Sequence, residues 1–297
     1  MEKRQLKGLG VALVTPMGAN GGVDSEAAKR VVRYVLDNGS DFLVALGTTG
    51  EAPTLNAQEQ NEFVRLVVGT AAGKVPIVVG MSGNDTRTLV ERLEAMDCTG
   101  VDYILSAVPS YNKPSQQGII EHFRRVAAVA QRPVVLYNVP GRTGRNMTAQ
   151  TTLWLAENVD NLAGVKEASG DLAQVEEILA KRPEGFAVLS GDDALTLPMM
   201  AAGAEGVISV IGNALPKRFG GMVHAAQRGD FAEAKREHLS LLEMYKLLFA
   251  ENNPAGIKAA LAAIGLCENN LRLPLVPVSA ALYQRIEAQM KVLQPKA

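Results

Sequence analysis

Eight short apolar runs recur through the first two thirds of the chain, separated by segments with helical spacing, and this alternation narrows the possible folds most sharply. The runs cover residues 10–14, 42–46, 75–79, 101–105, 133–137, 162–166, 187–190 and 206–210. Each is too short for a helix and rich in the aliphatic residues of a strand buried on both faces. Between them, Ala28, Val31, Val32, Val35 and Leu36 share one helical face, as do Phe63, Val64, Leu66, Val67 and Val68. Asp24, Asn84 and Asp171 stand where helix N-caps are expected. Strand and helix in strict alternation predict an α/β protein with a parallel sheet. Eight similar units with no obvious edge strand predict closure into a (β/α)8 TIM barrel. An open doubly wound sheet shares the alternation, but no Gly-x-Gly-x-x-Gly follows an early strand to support nucleotide use.

After about residue 213 only helical patterns remain. Phe219, Met222, Val223 and Ala226 form one, and Leu241, Leu242, Met244, Tyr245 and Leu248 another. Pro254 could open a third, and residues 271–277 read as a proline-rich connection before a last helix. The expected organisation is a barrel core over residues 1–212, its final helix running into the next segment, and a C-terminal helical extension over 213–297. That extension should pack on the barrel or on a neighbouring chain.

The formal net charge of -1 argues against a nucleic-acid partner, which would require a basic surface. No apolar run reaches the ~18 residues of a membrane span, and the start lacks an apolar stretch long enough for a signal peptide. Cys98 and Cys267 form no metal or redox pattern, which fits a reducing cytoplasm. His122, His224 and His238 all fall in predicted helices without ligand spacing, so metal catalysis is not expected.

Lys166 breaks the apolar pattern. It closes the run Leu162-Ala163-Gly164-Val165-Lys166, where a charged amine is costly to bury. Burial favours the neutral amine, a nucleophile able to form an imine with a ketone. The bland alternatives are a lysine snorkelling at a strand end or pairing with Glu167. Barrel chemistry sits at the C-terminal ends of strands, and three other polar segments fall there. They are Gly47-Thr48-Thr49-Gly50-Glu51, Pro109-Ser110-Tyr111-Asn112-Lys113-Pro114 and Tyr137-Asn138-Val139-Pro140-Gly141-Arg142-Thr143-Gly144. Tyr137, one strand from Lys166, could shuttle the protons that imine formation needs; its alternative is an aromatic plug at the barrel mouth. Thr48 could hydrogen-bond that phenol, and Tyr111 could extend the relay. Thr48, Thr49 and nearby glycine amides could bind a carboxylate, with Arg142 a bidentate partner for a second one. Gly191 and Ile208, near the ends of the last two strands, should line the pocket wall. No cofactor is required, because an imine on Lys166 is itself the electron sink.

Together these residues resemble the dihydrodipicolinate synthase family, within the pyruvate-dependent, lysine-type aldolases and lyases. The resemblance covers nearly the whole chain. The wider superfamily is marked by Gly47-Thr48-Thr49-Gly50-Glu51, Tyr137-Asn138-Val139-Pro140 and Lys166, and the synthases by Arg142-Thr143-Gly144. It implies a covalent pyruvate imine on Lys166, proton transfer by Tyr137, and relay roles for Thr48 and Tyr111. The enamine would attack L-aspartate 4-semialdehyde held by Arg142, giving 4-hydroxytetrahydrodipicolinate on the diaminopimelate and lysine route. The family is commonly a tetramer of two tight dimers, with Tyr111 donated across the dimer contact. Ala52, Ala57, Gln60, Thr88 and Ser110 replace the residues with which enteric relatives bind regulatory lysine, and only Asn84 is retained. Weak or absent lysine inhibition is therefore expected. Two other readings remain: a related aldolase acting on a sialic acid, a 2-keto-3-deoxy sugar acid or another 2-keto acid, and a non-catalytic carbonyl sensor.

Overall fold

The computed structural model describes residues 5–294. Eight parallel strands close on themselves in sequence order, β1 through β8, with β8 paired back to β1. They are β1 Gly8–Ala12, β2 Phe42–Ala45, β3 Ile77–Gly80, β4 Tyr103–Ala107, β5 Val134–Asn138, β6 Leu162–Glu167, β7 Ala187–Ser190 and β8 Gly206–Ser209. The closed barrel expected from the alternation is the observed architecture.

Among the described residues, twelve α-helices surround or extend it. The first eight are α1 Ser25–Asp37, α2 Ala57–Ala71, α3 Thr86–Glu94, α4 Gln116–Val129, α5 Pro140–Thr143, α6 Ala149–Asn158, α7 Leu172–Lys181 and α8 Thr196–Ala201. They are followed by α9 Pro216–Gln227, α10 Phe231–Phe249, α11 Ala255–Ala263 and α12 Ala280–Leu293. No helix among the described residues is long and apolar enough to cross a membrane.

Strand positions depart from the sequence expectation by up to two residues, and the backbone explains the shifts of β1 and β3. The first strand begins at Gly8, whose amide donates to Glu205 O, and stops before Val14, whose amide goes to the Asn213 side chain instead of a ladder partner. The third begins after Pro76, which has no amide to contribute. Asp24 and Asp171 cap α1 and α7 as expected, but Asp85, not Asn84, caps α3 by accepting from the Arg87 and Thr88 amides. A carboxylate at the positive end of a helix accounts for that choice.

Strand residues alternate between two cores. Leu43, Val79, Ile104, Leu136, Val165 and Val188 pack outward against the helices. Ala12, Phe42, Val44, Val78, Leu105, Val135, Leu189 and Ile208 fill the barrel interior. Phe42 needs the space that Gly10 leaves: a Cβ on Gly10 would lie 2.1 Å from its ring. The same parity decides the site. Leu136 and Val165 face out, so Tyr137 and Lys166, which follow them, face in.

Candidate active site

The register brings Tyr137 and Lys166 side by side at the mouth of the barrel, and Lys166 is paired in turn with Leu189 on β7. Lys166 is only 6% exposed, and its Nζ lies 4.3 Å from the centroid of the Tyr137 ring. That contact is close enough for a cation–π attraction if the amine is protonated. Pairing with Glu167 does not occur. The Glu167 side chain turns to the other face of β6, where both its oxygens accept from Asn138 Nδ2 at 3.1 and 3.0 Å. Ser169 N donates to it at 2.7 Å and Gln174 Nε2 at 3.1 Å. Burial raises the Glu167 carboxyl above its ordinary value, and these donors oppose the rise. This network ties the ends of β5 and β6 together directly behind the two inward-facing residues. It went unnoticed in the sequence, although a second ionisable residue next to Lys166 in an apolar strand was its signal.

A cavity of about 510 Å³ opens above the barrel. Thr48, Tyr137, Val139, Arg142 and Thr143 line it from the barrel loops, and Asn252, Asn253, Pro254, Pro274 and Leu275 from the C-terminal extension. Thr48 and Tyr137 therefore share one space, and no hydrogen bond joins them among the described residues. Thr49 is buried beside it. Its hydroxyl accepts from Asn253 Nδ2 at 3.1 Å and so keeps its own proton to donate. Arg142, in the single turn α5, is exposed and donates to Asn253 O at 3.4 Å.

Tyr111 is 89% exposed with a left-handed backbone (φ 71), so within one chain it does not reach the cavity to extend a relay. Two expected residues, Ile208 and Gly191, are placed differently from the sequence reading. Ile208 is buried in the interior cluster and does not wall the open cavity. Gly191 also stands outside the wall, and the space it leaves is occupied. A Cβ there would lie 2.6 Å from Ala168 Cβ and 3.0 Å from Lys166 Cε. Asn252, Asn253 and Pro254 were not singled out from the sequence, because nothing local in a helical tail marks a residue as belonging to a strand-end pocket.

Among the described residues no group of three or more His, Cys, Asp or Glu side chains converges as a metal site would. His122 is buried on α4 with its Nδ1 2.8 Å from Thr86 Oγ1, and burial holds its imidazole down to about 4. His224, on α9, pairs with Asp41 at 2.7 Å, which raises it.

A closed eight-stranded barrel with a buried lysine ending the sixth strand, and a tyrosine beside it ending the fifth, defines a class of lysine-bearing TIM barrels built for carbonyl chemistry. The model of the dihydrodipicolinate synthetase family matches residues 5–293, and the chain belongs to that family. It is 50% identical over 296 residues to 4-hydroxy-tetrahydrodipicolinate synthase of Phocaeicola vulgatus, covering 100% of both chains. Among solved structures, dihydrodipicolinate synthase of Thermotoga maritima superposes with a TM-score of 0.94 at 36% identity, covering 97% of this chain and 98% of that one. The chloride-inhibited dihydrodipicolinate synthase of Acinetobacter baumannii, complexed with pyruvate, gives 0.94 at 35% identity over 97% and 99% of the two chains.

Proposed function

We propose that this chain is a 4-hydroxy-tetrahydrodipicolinate synthase, condensing pyruvate with L-aspartate 4-semialdehyde. The observation that carries the reading is the buried Lys166 amine set against the Tyr137 ring, next to a cavity that Tyr137 and Thr48 share. Lys166 attacks the ketone of pyruvate, and loss of water leaves an imine. Tyr137 gives and takes the protons of addition and dehydration, with Thr48 as its relay partner. The Thr48–Thr49 turn receives the pyruvate carboxylate. Loss of a methyl proton gives an enamine, whose carbon attacks the semialdehyde held through its own carboxylate by Arg142. The substrate amine then displaces Lys166, closing a six-membered ring and freeing the lysine.

Tyr111 completes the relay in a neighbouring copy of the chain. Its exposure supports donation across a contact, within a tetramer of two tight dimers. Residues 213–297 extend the 1–212 barrel and are not an independent unit, a division supported by Asn252, Asn253, Pro254, Pro274 and Leu275 walling the same cavity as the barrel loops.

The test is borohydride reduction in the presence of pyruvate, followed by peptide mass spectrometry and an assay with L-aspartate 4-semialdehyde. A three-carbon adduct on Lys166 together with ring formation is expected. An adduct at another side chain refutes the mechanism. An adduct on Lys166 without ring formation, but with cleavage of a sugar acid, refutes the substrate.

A further inference from the structure

The turn that carries Thr48 is bracketed by two L-residues in left-handed backbone, Leu46 (φ 56) and Glu51 (φ 54). Such conformations persist only where the surroundings over-determine them. Little in the turn itself does so, since its own bonds are short-range: Gly50 N to Gly47 O and Glu51 N to Thr48 O. Thr15 Oγ1 also donates to Gly50 O at 2.7 Å. Thr54 N and Thr54 Oγ1 each donate to Glu51 O at 2.9 Å, and further restraints come from the far end of the chain. Lys258 on α11 is 0% exposed, and its ammonium is paired with the buried Glu51 carboxylate. Lys258 Nζ also donates to Asn270 O at 2.8 Å. The other Glu51 oxygen accepts from Arg272 N at 3.1 Å. The Arg272 guanidinium reaches Thr54 O at 2.8 Å and closes an ion pair with Glu59. Asn253, two residues before α11, bonds Thr49 with its side chain and receives Arg142 on its carbonyl.

A buried ion pair is a poor way to gain stability, because desolvation consumes most of the attraction and an apolar pair of equal volume serves as well. What it supplies is a single allowed arrangement. Burial lowers the Lys258 amine, and the Glu51 carboxylate beside it opposes the fall.

We infer that Lys258 and Glu51 are positioning residues through which the C-terminal helical layer holds Thr48 and Thr49 in register with Tyr137 and Lys166. Neither side chain forms a bond to the reacting lysine. The extension thus sets the geometry of a relay whose nucleophile lies across the barrel on β6. This inference rests on Thr48 being the relay partner of Tyr137.

Rapid-quench borohydride trapping with pyruvate, read by intact mass, separates positioning from architecture because it yields a rate and an amplitude. In Lys258→Met, imine formation should slow at least tenfold per active site, while the final adduct on Lys166 reaches the wild-type amplitude. A lowered amplitude with an unchanged rate would mean only that fewer molecules are folded, and would overturn the inference. Glu51→Asp keeps both charges and shortens the link by one methylene, so it tests the same geometry if Lys258→Met does not fold; a wild-type rate in Glu51→Asp overturns it. Adduct formation needs no second substrate, so a wild-type protein that traps pyruvate without closing the ring refutes the semialdehyde reading alone. A wild type that traps no pyruvate refutes both.

Discussion

Replacing Gly191 with alanine adds one methyl group where the barrel has no room for it. The new Cβ would lie 2.6 Å from Ala168 Cβ, 3.0 Å from Lys166 Cε and 3.2 Å from Glu167 O. Carbon atoms rest at about 3.5–4.0 Å, so roughly 0.5–1 Å of movement is required. The end of β6 cannot supply it cheaply. Ala168 N is bonded to Asn138 O at 2.9 Å, Gly191 N to Glu167 O at 2.8 Å, and the Glu167 carboxylate is held by three residues. The Lys166 stem is the softest of the three neighbours and must swing, carrying Nζ away from its place against Tyr137. A displacement of ~1 Å at a reacting atom costs about 100-fold in rate, equivalent to about 2.7 kcal/mol of barrier. Overpacking the core should separately destabilise the fold by about 1–3 kcal/mol. The assay pairs steady-state turnover with denaturant unfolding of the same preparation. Gly191→Ala with turnover within twofold of wild type would refute the argument that this gap exists for the lysine stem.

Arg142→Ala should leave the pyruvate adduct on Lys166 intact and raise the KM for the semialdehyde. A charge-assisted pair contributes about 1.5–3 kcal/mol, so the expected rise is roughly 10- to 150-fold in initial-rate kinetics. Calorimetry should detect weak binding of L-lysine or none, and tight binding would refute the expectation. The Gln60 amide is spent on Ala52 O and Leu55 O, and its oxygen on Arg92, so a lysine ammonium there meets a guanidinium where it needs a carboxylate. His122 should make the fold acid-sensitive. Its imidazole is held at about 4 against an ordinary 6.5, so the folded form binds its proton less readily than the unfolded chain. The neutral ring therefore stabilises the fold fully above the unfolded value, and that contribution is lost as pH falls from 6.5 to about 4. The loss is about 3 kcal/mol, and His122→Gln should flatten the corresponding slope in denaturant melts across that range.

Much of this is legible in the sequence. Periodicity is a local property, and eight aliphatic runs separated by amphipathic helices leave few ways to cover both faces of a sheet. Lys166 stood out because a charge at the end of a buried strand is costly, and Tyr137 because parallel neighbours end together. Residues whose importance lies in contacts made far along the chain carried no such mark. Asn253 reads as a loop asparagine and Lys258 as one lysine of a helix, yet they meet Thr49 and Glu51 across about two hundred residues.

Composition and spacing thus pointed to a parallel α/β architecture and to a lysine and a tyrosine ending neighbouring strands, since each follows from burial along a strand or from the pairing of adjacent ones. Closure of the barrel and the docking of the C-terminal helices decided the rest. They gave the Gly191 gap to the Lys166 stem and walled the cavity with a segment that no neighbouring residue in the chain announces. The reason is that such contacts depend on where distant backbone is carried in three dimensions, and no window of sequence contains that information.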